Sequence, residues 1–148
     1  MILDIVINIF KRDLNKLKTE IESYSREDRL WIVDKGIGNC AGNLCLHIVG
    51  NLNAYIGANL GDTGYIRKRD LEFSLKDVPR TVLLSQVDAV MTIVDETLKK
   101  MSVEDLKKEY SPKVFEAEMT TGYFLVHLTS HLSYHLGQIN YHRRLLDI

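Results

Sequence analysis

Apolar residues recur at helical spacing along most of the chain, in four long stretches. Leu3, Val6, Phe10, Leu14, Leu17 and Ile21 fall at steps of three or four, so residues 2 to 24 read as an amphipathic first helix. Ser25-x-x-Asp28 has the form of a helix-start cap and predicts one short turn through Trp31, after which Gly36 and Gly38 break the chain. Asn39 is the expected cap of a second helix that runs to about Leu60 and ends at Gly61-Asp62-Thr63-Gly64. Leu44, Leu46, Ile48, Val49, Leu52, Tyr55, Ile56 and Leu60 make this helix apolar all round, so it belongs deep in the fold. Residues 61 to 79 mix charge, glycine and isolated aromatics and read as a long ordered loop. A third helix is expected from about Arg80 to Lys100, with Val82, Val87, Val90, Ile93, Val94 and Leu98 inward. Residues 101 to 118 are irregular apart from one turn at Val103 to Lys108, and the last helix spans about Thr120 to Leu146. No segment reads as a strand. Four long helices with two short connections and one long one predict an all-α fold, a four-helix bundle with a crossover, as a single domain over residues 1–148.

Composition adds limits. Hydrophobic residues at 45% and charged ones at 26% belong to an ordinary globular chain rather than a disordered one. A formal net charge of −1 provides no basic field to attract nucleic acid or an anionic membrane. Met1 to Phe10 is apolar but carries Asp4, has no basic lead-in and no small-residue cleavage site, so it does not read as a signal peptide. No run reaches the ~18 to 20 apolar residues that cross a bilayer, and the expected location is the cytoplasm. Cys40 and Cys45, five apart, fit neither a redox pair nor a zinc knuckle and are expected to be buried thiols.

The histidines carry the candidate chemistry. Four of the five, His127, His131, His135 and His142, lie on the last predicted helix. Steps of four rotate only about 40° on a helix, so His127, His131 and His135 share a face that Gln138 and His142 extend. Histidines at i and i+4 make a bidentate metal clamp, since both imidazoles converge on one point. His127 and His135 stand about 12 Å apart along the axis, so one ion takes an adjacent pair and not all three. His47 sits in the middle of the apolar second helix, where an unpaired imidazole is costly. Three imidazoles from two helices form a facial set that leaves coordination positions open. Spacing alone leaves 127/131 and 131/135 both available. The competing reading is a polar seam, with imidazoles bonded to Asn43, Asn51, Gln138 or water; His127 and His142 are candidates for orienting the ligands or for plain packing.

Other chemistries fall away. Leu128 follows His127 and Leu132 follows His131, so the zinc-protease signature fails at its glutamate. No histidine has an acid three residues before it, as di-iron bundles require. Nucleophile-elbow, Walker and dinucleotide-binding patterns are missing.

Asn43-Leu-Cys-Leu-His47-Ile-Val-Gly-Asn51, together with His131-x-x-x-His135-Leu-Gly137-Gln138-Ile139, resembles the DinB/YfiT-like superfamily. Gly61-Asp-Thr-Gly-Tyr-Ile-Arg67 and the ending Tyr141-His-Arg-Arg144 resemble one bacterial branch of unknown function, and the likeness spans nearly the whole chain. The resemblance implies up-down-down-up helix order, a homodimer, and zinc or nickel held by His47, His131 and His135. It is this likeness that selects 131/135. It also implies that Gly137 permits close helix contact and that Gln138 faces the site. Relatives include thiol-dependent transferases and isomerases.

Two functions follow from these readings. In the first, the protein is a metal-dependent transferase acting with a low-molecular-weight thiol, whose pKa a bound ion lowers. Tyr65, Arg67 and Arg69 would then line the mouth and pair with carboxylates of the thiol. A metal-dependent hydrolase is a variant of this class, and would need a carboxylate base that only Glu116 or Glu118 could supply by folding back. In the second, the protein is a non-catalytic metal-binding or stress-related interaction protein with a closed site.

Overall fold

The computed structural model describes residues 1–34 and 36–148. Helix α1 spans Ile2–Ser23 and is followed by a 3-10 turn at Glu27–Trp31. Helix α2 spans Ala41–Leu52 and continues through a π-helical turn, Asn53–Ala58, to end at Gly61. Helix α3 spans Arg69–Ser74, α4 Arg80–Lys99, α5 Val103–Lys107 and α6 Thr121–Leu146. Among the described residues the only β pairing is an isolated bridge between Glu109 and Thr120.

The long helices form an all-α bundle around one apolar centre. Phe10, Leu14, Leu17 and Ile21 of α1 meet Ile48, Leu52 and Ile56 of the second helix, Leu83, Val87, Val90 and Leu98 of α4, and Phe124, Leu125, Leu128 and Ile139 of α6, all buried. Every residue of α2 from Ala41 to Leu52 is buried, as its all-round apolar character demands.

Side-chain pairs set the helix directions. Glu20 near the end of α1 takes Arg143 Nε at 2.7 Å and Asn140 Nδ2 at 2.6 Å near the end of α6, so α1 and α6 are parallel. Arg80 at the start of α4 reaches the Glu22 carbonyl at 3.2 Å, so α1 and α4 are antiparallel. His47 lies beside His131 while Tyr55 lies beside Phe124, so α2 and α6 are antiparallel. The order is up-down-down-up, as expected. Because α2 and α4 run parallel, the chain must return along the bundle between them, and residues 62–79 do so.

Local details depart from the sequence expectations. Residues 61 to 79 are not all loop, since α3 forms within them. Asn39 does not cap α2; Cys40 holds the cap position, with no side-chain cap bond. Ser25 does not cap the 3-10 turn either, but bonds the Asp147 carboxylate through its N–H at 2.7 Å and its hydroxyl at 2.8 Å, tying the ends of α1 and α6 together. On α4 the inward residue is Leu83 and not Val82, because 83, 87, 90, 94 and 98 keep the four-three-four-four rhythm. At the start of α6 the Thr120 hydroxyl accepts the Tyr123 N–H at 3.1 Å.

Cys40 and Cys45 are free and buried, and burial pushes the Cys45 thiol up to about 12, which leaves it inert at neutral pH. No described helix is long and apolar enough to cross a membrane.

Candidate metal centre

The antiparallel register of α2 and α6 brings His47 opposite the gap between His131 and His135. His131 Nε2 lies 3.1 Å from His47 Nε2 and 3.1 Å from His135 Nε2, and one nitrogen of each ring falls within 4.8 Å of the others. Two nitrogens bound to one ion at ~2.0–2.1 Å in tetrahedral geometry stand roughly 3.3 Å apart, so this cluster is close to a ligand set without rearrangement. Among the described residues it is the group of histidine, cysteine and acidic side chains able to hold a metal ion. His47 is buried, whereas His131 and His135 are partly open.

Hydrogen bonds at the far side of the rings assign a tautomer to two of them. His47 Nδ1 lies 3.0 Å from Glu72 Oε1, which only accepts, and 3.4 Å from Arg67 Nη2, which only donates; the carboxylate is the nearer partner and Nη2 already donates to it, so Nδ1 carries the proton. His135 Nδ1 lies 2.7 Å from Gln138 Oε1, which also only accepts. Both Nε2 atoms are therefore bare lone pairs, and both face His131 Nε2, which has at most one proton to share between two contacts. A cation satisfies all three at once. The residues present thus fit a divalent ion, with Glu72 and Gln138 in the orienting role that outer hydrogen-bond partners of metal-bound imidazoles play.

Glu72 is the site residue that sequence reasoning missed. It lies on α3, is buried, and is also gripped by Arg67, whose Nε donates to Oε2 at 2.9 Å and whose Nη2 donates to Oε1 at 2.9 Å. Burial works against its charge, but the bonds from His47 and Arg67 outweigh it and hold the carboxyl below its ordinary value. The Arg67 guanidinium lies 5.5 Å from the Tyr55 ring centroid, within cation–π reach. The one local sign of α3 was the absence of glycine and proline from Arg69-Asp70-Leu71-Glu72-Phe73-Ser74. Nothing in that stretch distinguishes Glu72 from Asp70.

The other expected residues divide. Gln138 faces the centre as expected. Arg67 does too, but it is committed to Glu72 and is not a free cation at a mouth. Tyr65 is more than a third exposed and lines a cavity of about 360 Å³ whose walls include Glu72 but none of the three histidines. Arg69 lies over the Phe73 ring, 5.1 Å from its centroid. His127 is outside the cluster, stacked on Phe124 at 5.8 Å and edge-on to Phe115 at 5.1 Å. His142 is buried and structural: its Nε2 donates to the Ile32 carbonyl at 2.8 Å, and its Nδ1 accepts from the Tyr24 hydroxyl at 2.7 Å. Asn43 bonds backbone carbonyls of the α3 segment and no imidazole, and Asn51 Oδ1 is buried without a partner. An added Cβ at Gly137 would meet no atom within 4 Å, so no close helix contact requires a glycine there. Glu116 and Glu118 remain exposed and do not fold back onto the centre.

Burial pushes His131 down to about 3, helped by repulsion from His135, His47, His127 and Arg67, and burial also lowers His135. Both rings are neutral at pH 7, the form that ligates metal. The sign of the linked pH effect follows. Below about pH 6.5 these histidines take up protons more readily in the unfolded chain than in the folded one, so stability falls as pH falls. The lowered pKa of Glu72 acts in the same direction further down, its stabilisation being lost as pH drops through its folded value. Thermal melts of metal-free protein between about pH 7.5 and about pH 5 should show a declining Tm, and a flat or rising profile would contradict this.

A cavity of about 550 Å³ opens against His135 and Gln138, with Leu44, Tyr134 and Tyr141 among its walls. No curated protein matches the chain. A family model described as "Protein of unknown function (DUF1572)" matches residues 2–147, and the chain belongs to that family.

Proposed function

We propose that this chain is a metal-dependent enzyme of the DinB/YfiT-like superfamily, a transferase acting with a low-molecular-weight thiol at a zinc or nickel ion held by His47, His131 and His135. The observation that carries the reading is the convergence of three imidazole nitrogens, two of them on rings whose Nδ1 bonds Glu72 or Gln138. When bound in such a set, a divalent ion supplies Lewis acidity that lowers the pKa of a sulfur ligand to near neutrality. In the reaction class proposed, the thiol proton passes to solvent, the sulfur forms a bond to an electrophilic carbon, and the leaving group departs with its electron pair. Glu72, kept ionised by Arg67, orients His47. Gln138 does the same for His135, and the cavity beside them offers room for a small substrate.

The hydrolase variant is less well supported. Glu72 accepts from His47 Nδ1, on the far side of that ring from the converging nitrogens, so it is poorly aimed to serve as a base toward water at the centre. Three imidazoles accept zinc and nickel alike, so the donor set favours neither. The assembly that goes with this reading is a homodimer.

Metal analysis of protein purified without an affinity tag tests the site. We expect near-stoichiometric zinc or nickel in the wild type and none in the His47/His131/His135→Ala variant; equal content in both would sink it. A panel of biological thiols with a chromogenic electrophile then tests the chemistry. Turnover that disappears on chelation and returns with metal supports the transferase. Metal-loaded protein inert toward every thiol points instead to the non-catalytic role.

A further inference from the structure

We propose that Gly50 and Asn43 are positioning residues that hold Glu72 against His47. The inference rests on the reading of His47 as a ligand and adds the means by which its donor nitrogen is selected. Asn43, His47 and Gly50 sit at i−4, i and i+3 on α2, and so share one face. All three touch the same residue of α3. Asn43 Nδ2 donates to the Glu72 carbonyl at 3.0 Å and to the Leu75 carbonyl at 2.7 Å, which caps carbonyls left open at the end of a six-residue helix. Asn43 Oδ1 is itself held by the Cys40 thiol at 2.9 Å and by the Lys76 ammonium. At the other end of Glu72, its carboxylate occupies the notch left by the missing side chain of Gly50. A Cβ at position 50 would stand 1.9 Å from Glu72 Oε2 and 2.5 Å from its Cδ.

Glu72 is therefore held by its backbone through Asn43 and by its carboxylate between Gly50, Arg67 and His47. Neither Gly50 nor Asn43 touches the imidazole cluster. Both act on it through the carboxylate, whose bond to Nδ1 leaves Nε2 of His47 as the bare donor. Adding a methyl at position 50 displaces the flexible end of Glu72, and the cavity of about 360 Å³ beside it has room to take the displaced group. The Gly50→Ala protein should thus fold, with its carboxylate out of register.

The test starts with metal-free protein carrying labelled histidine. Long-range proton–nitrogen spectra should show His47 as the Nδ1–H tautomer in the wild type, and loss of that signature in Gly50→Ala and in Asn43→Ala. Zinc affinity, read by competition with a chromogenic chelator, should fall roughly 10- to 100-fold in Gly50→Ala. In a Glu72→Ala background the same methyl should change affinity by less than about twofold, since the group it displaces is gone. An unchanged His47 signature in Gly50→Ala overturns the proposal, and so does an equal zinc loss in both backgrounds. If the wild type binds no zinc, the metal reading fails while the tautomer signature still decides the role of Gly50 and Asn43.

Discussion

His131→Ala is expected to weaken zinc binding by roughly 100- to 1,000-fold, while His127→Ala changes it by less than about threefold. His131 is the apex of the cluster, with its Nε2 3.1 Å from both of the other donors. Structural zinc sites of four ligands gain about 10–16 kcal/mol, or roughly 3 kcal/mol per ligand, and each 1.4 kcal/mol is tenfold in affinity. His127 has the same helical offset from His131 as His135 does, but its ring is stacked on Phe124. Titration with a competing chelator measures both variants. Equal losses would mean that the last helix binds metal through the other pair, and the assignment of ligands would fall.

Glu72→Ala carries the second large effect, on two observables. Removing the carboxylate leaves the Arg67 guanidinium, whose side chain is only 16% exposed, without its bidentate partner, and strips the acceptor from His47 Nδ1. Breaking a buried pair costs about 3–5 kcal/mol, and partial exposure of Arg67 brings the expected loss of stability to about 2–4 kcal/mol. Urea denaturation of the metal-free protein reads this as a lower midpoint at unchanged slope. Zinc affinity should fall about 10- to 100-fold as well, because His47 is no longer oriented. Glu72→Gln should lie between wild type and Glu72→Ala on both measures, since its amide oxygen still accepts from His47 while its amide nitrogen faces the guanidinium as donor against donor. A Glu72→Ala protein as stable as wild type, with unaltered zinc affinity, would show that the carboxylate supports neither the fold nor the centre.

Much of the fold was legible because amphipathic spacing is a local property. The stripe from Leu14 to Ile21 and the all-round apolar α2 each report which side of a helix must leave water, whatever the rest of the chain does. Errors gathered where side chains had a choice of partner. Ser25 has the chemistry of a cap but finds Asp147, which is 122 residues away and invisible to a local rule. Asn39 suits a cap, yet the cap position falls one residue later, at Cys40, and the helix begins at Ala41. His142 extends the metal stripe in sequence but is taken up by Tyr24 and Ile32, which the bundle delivers to it.

By itself, then, the sequence determined the four long helices and the histidine face of α6, because both follow from a 3.6-residue period that needs no tertiary partner. Its likeness to a known family favoured His131 and His135 over the overlapping pair. Only the tertiary structure decided which nitrogens converge, and that a carboxylate from the crossover segment holds one of the rings. Glu72 is 25 residues from His47, on a short helix whose carbonyls Asn43 bonds and whose glutamate side chain fits beside Gly50. The physical reason is one of range. A helix forms from contacts three and four residues apart, whereas this site forms from contacts across the bundle, which come into being only when the helices pack.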